Sequence, residues 1–101
     1  MAIFEVFQHP EFNDWLDRLR DAKAQTVIGR RLARLELGLL GDVKFIASGV
    51  RELRIDYGPG YRLYFVQRGA RLIVILCGGD KSSQKADVAR ALKIAEEVEN
   101  G

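Results

Sequence analysis

Apolar and polar residues alternate over positions 3–7 and then recur with helical spacing, so the chain is predicted to begin with a strand followed by two helices. Pro10, followed by Glu11, is typical of the first turn of a helix. A second apolar stripe continues until Gly38 and Gly41 interrupt it. The stripes consist of Phe12, Trp15, Leu16, Leu19 and Ala22, and of Val27, Ile28, Leu32, Leu35 and Leu39. Two amphipathic helices, forming a hairpin or a bent pair, are therefore expected.

From Val50 the apolar period changes to that of strands. Three strands are predicted, at residues 50–57, 61–67 and 71–77. Gly-Pro-Gly at 58–60 and Arg68-Gly69 supply turn residues, so the strands should pair antiparallel through short hairpins. Residues 42–48 are interpreted as a connecting loop with at most a short strand at Phe45. Residues 72–76 are apolar throughout, which predicts a central strand covered on both faces.

A last helix is predicted to begin near Ser82 or Ser83, either of which can cap it. Its apolar positions would cover the second face of the sheet; they are Val88, Leu92, Ala95 and Val98. The predicted fold class is α+β in the order β-α-α-β-β-β-α: an antiparallel meander with an N-terminal helix pair on one face and a C-terminal helix. The 101 residues, 48% of them hydrophobic, fit a single domain spanning residues 1–101.

Positive charge is concentrated in two segments, although the formal net charge is only +2. The predicted meander carries five arginines, at positions 51, 54, 62, 68 and 71, against the acidic Glu52 and Asp56. Residues 18–34 carry six basic side chains against Asp21. Guanidinium groups fixed on a sheet match phosphate oxygens through paired hydrogen bonds, so a nucleic acid or another polyanion is the expected partner.

Other chemistry is disfavoured by what the chain lacks. Cys77 is the only cysteine and His9 the only histidine, so neither an internal disulfide nor a zinc cluster is predicted, and no metal or cofactor is implied. The opening residues lack the basic start and apolar core of a signal peptide. No apolar run approaches the roughly twenty residues that span a bilayer. We therefore predict a cytoplasmic protein without membrane contact, and no particular oligomeric state.

The element order and three short motifs resemble the RelE/ParE toxin superfamily, most closely its HigB-like "addiction module killer" branch. The motifs are ELR at 52–54, GYR at 60–62 and GDKSSQ at 79–84. Each is weak alone, but all three occur in order in a chain of this length. The resemblance implies the toxin of a type II toxin–antitoxin system. RelE and HigB members enter the ribosomal A site and cut messenger RNA there without a metal, which inhibits translation. The implied partners are messenger RNA, the ribosome and a cognate antitoxin, usually a HigA-like helix-turn-helix protein.

The resemblance also implies site residues. Arg62 matches the arginine of the family's Gly-Tyr-Arg strand, Arg54 a basic residue on the preceding strand, and Lys81 a basic position after the last strand. These three are the predicted catalytic residues. Arginine stays protonated, so Arg62 and Arg54 suit holding the phosphate. Lys81 or Lys85 is the better proton carrier, since crowding by the arginines would favour the neutral form of a lysine. Further RNA contacts are predicted at Arg51, Lys85, Arg30, Arg31 and Arg34.

Each of these residues also has an ordinary explanation. Arginines on an antiparallel sheet commonly pair with cross-strand acids, here Glu52 or Asp56, in exposed ion pairs that contribute little. Lys81 fits a solvated connection as well as an anion site at a helix N-terminus. No histidine follows His9, and Val88 stands near the position of a tyrosine in RelE. The chain therefore cuts RNA through arginines and a lysine, cuts slowly, or no longer cuts.

Two functions of other classes stay open. One is a ParE-like inhibitor of DNA gyrase, which needs no phosphate-cleaving centre. The other is an interaction module whose main act is binding an antitoxin. Convergence of Arg54, Arg62 and Lys81 on one phosphate-sized site would favour cleavage, and scattered placement would favour a binder.

Overall fold

A five-stranded sheet covered by helices on both faces forms the fold, in a computed structural model that describes the backbone of residues 3–100 and the side chains of residues 3–99. The strands are β1 (Glu5–Gln8), β2 (Val43–Ala47), β3 (Val50–Ile55), β4 (Tyr61–Arg68) and β5 (Leu72–Asp80). The helices are α1 (Pro10–Arg18), α2 (Ala22–Glu36) and α3 (Gln84–Asn100), with a 3-10 turn at Lys81–Ser83 before α3. The α+β class, the helix pair and the C-terminal helix are confirmed.

The strand order is β1-β5-β4-β3-β2. Strands β3 to β5 form the predicted antiparallel meander. Strand β2 extends it antiparallel to β3, and β1 adds to the other edge parallel to β5. The apolar strand β5 is therefore central, and its residues 73–79 are buried. Among the described residues, no helix has both the length and the apolar character needed to cross a bilayer.

Residues 42–48, predicted as a connecting loop with a short strand at Phe45, instead form the edge strand β2 over most of their length. A two-residue turn, Ser48-Gly49, joins β2 to β3 with positive φ angles of 52° and 81°. Positive φ at both positions is the geometry of the tight turns whose twist matches paired strands. The full order is thus β-α-α-β-β-β-β-α, one strand more than expected.

Two apolar cores lie on the two faces of the sheet. The helix pair covers one face, with Phe12, Ile28 and Leu35 packed against Leu53, Leu63, Phe65 and Ile75. Helix α3 covers the other face, with Ala91, Ile94 and Ala95 packed against Val50, Val66, Val74 and Leu76. Because strand residues alternate between faces, this division fixes which side chains share a face with α3.

Gly78 marks the place where α1 crosses β5 most closely. A Cβ atom added there would lie 2.5 Å from Cε3 and Cζ3 of Trp15, a separation that packed atoms do not tolerate. Gly78→Ala should therefore lower the free energy of unfolding by about 1–3 kcal/mol. Urea denaturation followed by the fluorescence of Trp15, the only tryptophan, measures this change.

Gly29→Ala is the matched control for Gly78→Ala. Gly29 is exposed in the middle of α2, and a Cβ there would meet no atom within 4 Å. Alanine is the better helix former, so this variant should gain about 0.5–1 kcal/mol. Equal stability of the two variants would contradict the close packing of Trp15 on β5.

Candidate functional site

A cleft of about 500 Å³ opens where β3 ends and β4 begins. Arg54, Arg62 and Lys81 all line it, together with Asp42, Asp56 and the turn at 58–60. Arg54 lies directly opposite Arg62 in the β3–β4 pair, so the two side chains share the face on which α3 lies. Lys81 follows the end of β5. The structure therefore brings the three predicted catalytic residues to one cleft.

Arg54 is anchored by Asp42. Its Nη2 donates to Oδ1 of Asp42 at 2.8 Å, and its backbone N–H donates to the carbonyl of Asp42 at 2.9 Å. The side-chain hydrogen bond to Asp42 raises the pKa of Arg54 above its ordinary value. Arg54 thus stays charged at any working pH and cannot serve as a base. Its partner is Asp42, not the cross-strand acids Glu52 or Asp56 expected for an ordinary sheet arginine.

The side chain of Arg62 is more buried than that of Arg54. Its side chain is 13% exposed, and its Nε lies 3.7 Å from Oε1 of the completely buried Glu52. Nε and Nη1 of Arg62 are both buried, and neither has a hydrogen-bond partner within the part of the chain that the structure describes. Buried donors without acceptors are costly, and a ligand that brings several acceptor oxygens would satisfy them. A phosphate group is such a ligand.

Glu52 was expected only as a possible exposed partner of an arginine. The structure instead places it in the α3-facing core, where its Oε2 accepts from the hydroxyl of Tyr64 and from Nε2 of Gln84, both at 3.0 Å. Burial, followed by the charge of Glu52, raises the pKa of Tyr64 far above its ordinary value, so its hydroxyl remains a donor. The alternation Val50, Glu52, Arg54 along β3 is the sequence signal that could have located this carboxylate on the covered face.

Lys81 is exposed on the 3-10 turn, and Asp80 holds that turn. The Asp80 carboxylate accepts from the backbone N–H of Ser82 at 2.8 Å and from its hydroxyl at 2.5 Å. The Ser82 hydroxyl contributes most to lowering the pKa of Asp80. The predicted serine caps are therefore wrong: Asp80 caps the turn, and the Ser83 hydroxyl donates to Asp87 instead. A Cβ on Gly60 would lie 3.7 Å from Cβ of Lys81, so Lys81 lies against the β3–β4 turn.

The other predicted RNA contacts do not line this cleft. Arg51 lies opposite Phe65, on the sheet face that the helix pair covers, and Lys85 is exposed on the first turn of α3. Arg30 and Arg34 are exposed on α2, on the far side of the sheet from α3. If these four residues contact RNA, they do so outside the cleft.

The side chain of Arg31 donates hydrogen bonds to two backbone carbonyl groups. Its Nη1 donates to the carbonyl of Arg54 at 3.3 Å and its Nη2 to the carbonyl of Leu40 at 3.2 Å. Burial lowers the pKa of Arg31 from its ordinary value. The side chain also packs over Gly41, where a Cβ would collide with the guanidinium. These bonds fix the loop that leads to Asp42 and account for Arg31 without an RNA contact.

The cleft is not a simple positive patch. Its three cations, Arg54, Arg62 and Lys81, are balanced by Asp42 and Asp56 in the lining and by Glu52 beneath it. An anion that enters must therefore compete with carboxylates for the guanidinium groups. The exposed Asp42 is the carboxylate that an anion displaces most readily from its guanidinium partner, because water can take the place of Arg54 as the partner of Asp42.

Asp42→Asn should strengthen binding of RNA. The change removes the charge that competes for Arg54 and keeps a side chain of the same size. Fluorescence anisotropy with a short RNA, made uncleavable by 2′-deoxy substitution, measures the affinity. The slope of log K against log[salt] should steepen by about 0.7, the value for one additional phosphate contact on a single strand.

Asp14→Asn, an exposed change on α1, is the control for Asp42→Asn. It alters the net charge equally at a residue that does not line the cleft. Equal effects of the two changes, or weaker RNA binding by Asp42→Asn, would contradict competition between Asp42 and phosphate for Arg54.

Comparison with known proteins identifies the family. Residues 14–99 match the family model described as "Phage derived protein Gp49-like (DUF891)". An uncharacterized protein of Haemophilus influenzae (strain ATCC 51907 / DSM 11121 / KW20 / Rd) is 42% identical over 87 residues, which cover 86% of this chain and 88% of that protein. Among solved structures, a double arginine-to-alanine mutant of the E. coli toxin RelE in the free state has the same fold, with a TM-score of 0.71 at 12% identity over 92% of this chain and 97% of that one. The chain belongs to the Gp49-like family, and with it to the RelE/ParE superfamily of toxins from toxin–antitoxin pairs.

Proposed function

We propose that this toxin is a ribosome-dependent messenger RNA endonuclease that inhibits translation. The observation that carries the proposal is the cleft in which Arg54, Arg62 and Lys81 meet, where Nη1 of Arg62 has no hydrogen-bond partner within residues 3–99. A gyrase inhibitor or a simple antitoxin binder has no need of three cationic side chains in one cleft. The size and chemistry of the cleft suit one phosphate of an RNA chain and its two neighbouring sugars.

The reaction is attack of the 2′-hydroxyl of the RNA on the adjacent phosphorus. The new bond joins the 2′-oxygen to phosphorus and the bond to the 5′-oxygen breaks, which leaves a 2′,3′-cyclic phosphate and a free 5′-hydroxyl. The transition state carries an additional negative charge on the phosphate oxygens. Arg62 stabilises that charge. Arg54 orients the phosphate after the phosphate has displaced Asp42 from the Arg54 guanidinium.

Two protons must move during this reaction. Lys81, exposed on its turn beside the cleft, protonates the departing 5′-oxygen. The carboxylates that line the cleft, Asp42 and Asp56, are the groups in place to accept the proton of the 2′-hydroxyl. Arginine takes no part in either transfer because it keeps its proton.

Binding to the ribosome extends beyond the cleft. Arg30 and Arg34 on α2, Arg51 on β3 and Lys85 on α3 supply sequence-independent contacts to RNA phosphates, which weaken as salt concentration rises. A cognate antitoxin, of the helix-turn-helix, HigA-like class, neutralises the toxin. The setting of this chemistry is the cytoplasm, where messenger RNA is translated.

Translation of a defined message by purified ribosomes and factors, with RNA ends mapped by primer extension, tests the proposal. Cuts within translated codons that require ribosomes are the expected result. An uncut message would overturn the proposal. DNA supercoiling by gyrase, measured with the same protein preparation, then decides for or against the ParE-like activity.

A further inference from the structure

Glu52 is the most deeply buried charged side chain near the cleft, with no exposed surface. It lies on β3, and three side chains from two other elements meet it. Its Oε2 accepts from Tyr64 on β4 and from Gln84 at the start of α3, each at 3.0 Å. Its Oε1 lies 3.7 Å from Nε of Arg62 and has no hydrogen-bond partner among the described residues.

This arrangement is poor for stability alone. Transfer of a carboxylate and a guanidinium out of water costs several kcal/mol for each ion, and an ion pair with incomplete hydrogen bonds does not fully offset it. The neighbouring positions on the same face, Val50 and Val66, are apolar and buried. Apolar residues at both 52 and 62 would avoid the cost of burying two charges, so stability alone does not account for the pair.

We infer that Glu52 is the positioning residue of the cleft: it sets the guanidinium of Arg62 and, through Gln84, the turn that carries Lys81. A carboxylate beside Nε restricts rotation of the guanidinium plane, so the other nitrogens of Arg62 meet a phosphate in one orientation. Gln84 follows the 3-10 turn directly, so its bond to Glu52 fixes the distance of Lys81 from β4. One carboxylate thereby determines the separation of two cations that line the same cleft.

The consequence for catalysis rests on the proposed endonuclease function, whereas the positioning of Arg62 does not. Glu52→Gln is the central variant, because glutamine has the same shape and can still accept from Tyr64 or Gln84 while it lacks the charge that faces Arg62. Tyr64→Phe removes a donor from the same carboxylate without touching Arg62, and so controls for the loss of a buried hydrogen bond. Gln84→Met removes only the hydrogen bond between Glu52 and α3.

The first readout needs no activity. The ¹H–¹⁵N signal of the Arg62 Nε–H group, assigned by its disappearance in Arg62→Lys, reports how firmly the guanidinium is held. In Glu52→Gln, exchange of this proton with water should accelerate by about tenfold, because the group opens to solvent more often. In Tyr64→Phe the Arg62 Nε–H proton should exchange at the wild-type rate. Thermal unfolding should nevertheless show that Tyr64→Phe loses about as much stability as Glu52→Gln.

The second readout is the rate of a single round of cleavage on programmed ribosomes. Glu52→Gln should slow it by about a hundredfold, the usual effect of a misplaced catalytic group, with little change in affinity for uncleavable RNA. Gln84→Met should slow it less and should leave the Arg62 signal intact, because only Lys81 is displaced.

Each outcome decides the inference. An unchanged Arg62 signal in folded Glu52→Gln would overturn the positioning role, whatever the activity. A changed signal with unchanged cleavage would show that the position of Arg62 is irrelevant to the rate and would overturn the consequence for catalysis. If wild-type protein cuts no RNA, the endonuclease proposal fails and the Arg62 signal still decides the positioning role. If Glu52→Gln does not fold, Gln84→Met decides: an unchanged cleavage rate there would overturn the link to Lys81.

Discussion

Cleavage of messenger RNA on the ribosome should fall by about a hundredfold or more when Arg62 is replaced by lysine, because loss of one preorganised donor to a developing oxyanion has effects of this size. Lysine keeps a positive charge next to Glu52 but lacks the planar pair of donors that binds two phosphate oxygens. The protein should therefore stay folded and lose most of its rate. Single-turnover primer extension on programmed ribosomes measures the change.

Lysine at position 62 separates lost chemistry from lost stability better than alanine or glutamate, because it keeps a positive charge beside the buried Glu52. Removal of one partner from a buried ion pair costs about 3–5 kcal/mol, since it leaves an uncompensated charge. A charge reversal at Arg62, the simplest test from the sequence alone, would set a second carboxylate against Glu52. Loss of toxicity in either variant would then reflect unfolding as much as lost chemistry.

A double variant separates the two effects. Arg62→Gln should be destabilised, and addition of Glu52→Gln should restore part of the stability, because both charges are then gone. The double variant should nevertheless remain inactive. Recovery of cleavage together with stability would mean that Arg62 acts on folding and not on the phosphate.

Arg71→Lys is the matched control for Arg62→Lys. Arg71 is exposed in the turn after β4, roughly 20 Å from the cleft at about 3.3 Å per strand residue. It should retain the wild-type rate. A folded Arg62→Lys protein that cuts as fast as Arg71→Lys would remove Arg62 from the centre of the mechanism.

Periodicity predicts most of this fold because its main elements bury whole faces. Strand β5 is apolar from Leu72 to Cys77 and lies in the interior of the sheet, and α1 and α2 each carry a continuous apolar stripe. Strand β2 was missed because it is a five-residue edge strand whose register shifts between Phe45 and Ala47. Its hydrogen bonds with β3 stabilise it, and such pairing is a tertiary effect that the local pattern does not reveal.

In the cleft, likewise, the local sequence pattern predicts the placement of some residues, and tertiary packing determines the placement of others. Arg54 and Arg62 could be placed on one face, because the short turn at 58–60 fixes the register of β3 and β4. Asp42 could not be placed, since it lies in a loop that Arg31 holds by bonds between distant residues. The placement of Asp42 and Glu52 in or beneath the cleft thus depends on packing, whereas the shared face of Arg54 and Arg62 follows from strand parity.

The largest loss of stability is expected from Phe12→Ala. Phe12 is completely buried between α1 and the sheet, and truncation of such a ring costs about 3–5 kcal/mol. That is a large share of the roughly 5–15 kcal/mol that holds a small domain folded. Urea denaturation measures the loss, and Phe7→Ala, at a position that is 55% exposed, should change stability by less than about 0.5 kcal/mol.

The same change tests how the core supports the cleft. The ring of Phe12 lies 5.8 Å from that of Trp15, which lies 5.9 Å from Tyr61 in the lining of the cleft. If this row of rings only holds the fold together, cleavage by Phe12→Ala should track the fraction of folded protein and recover on cooling. If the row also sets the cleft, cleavage should stay low at temperatures where the variant is fully folded. The first result is expected, because Arg62 and Lys81 are fixed from the α3 side of the sheet, by contacts in which Phe12 takes no part.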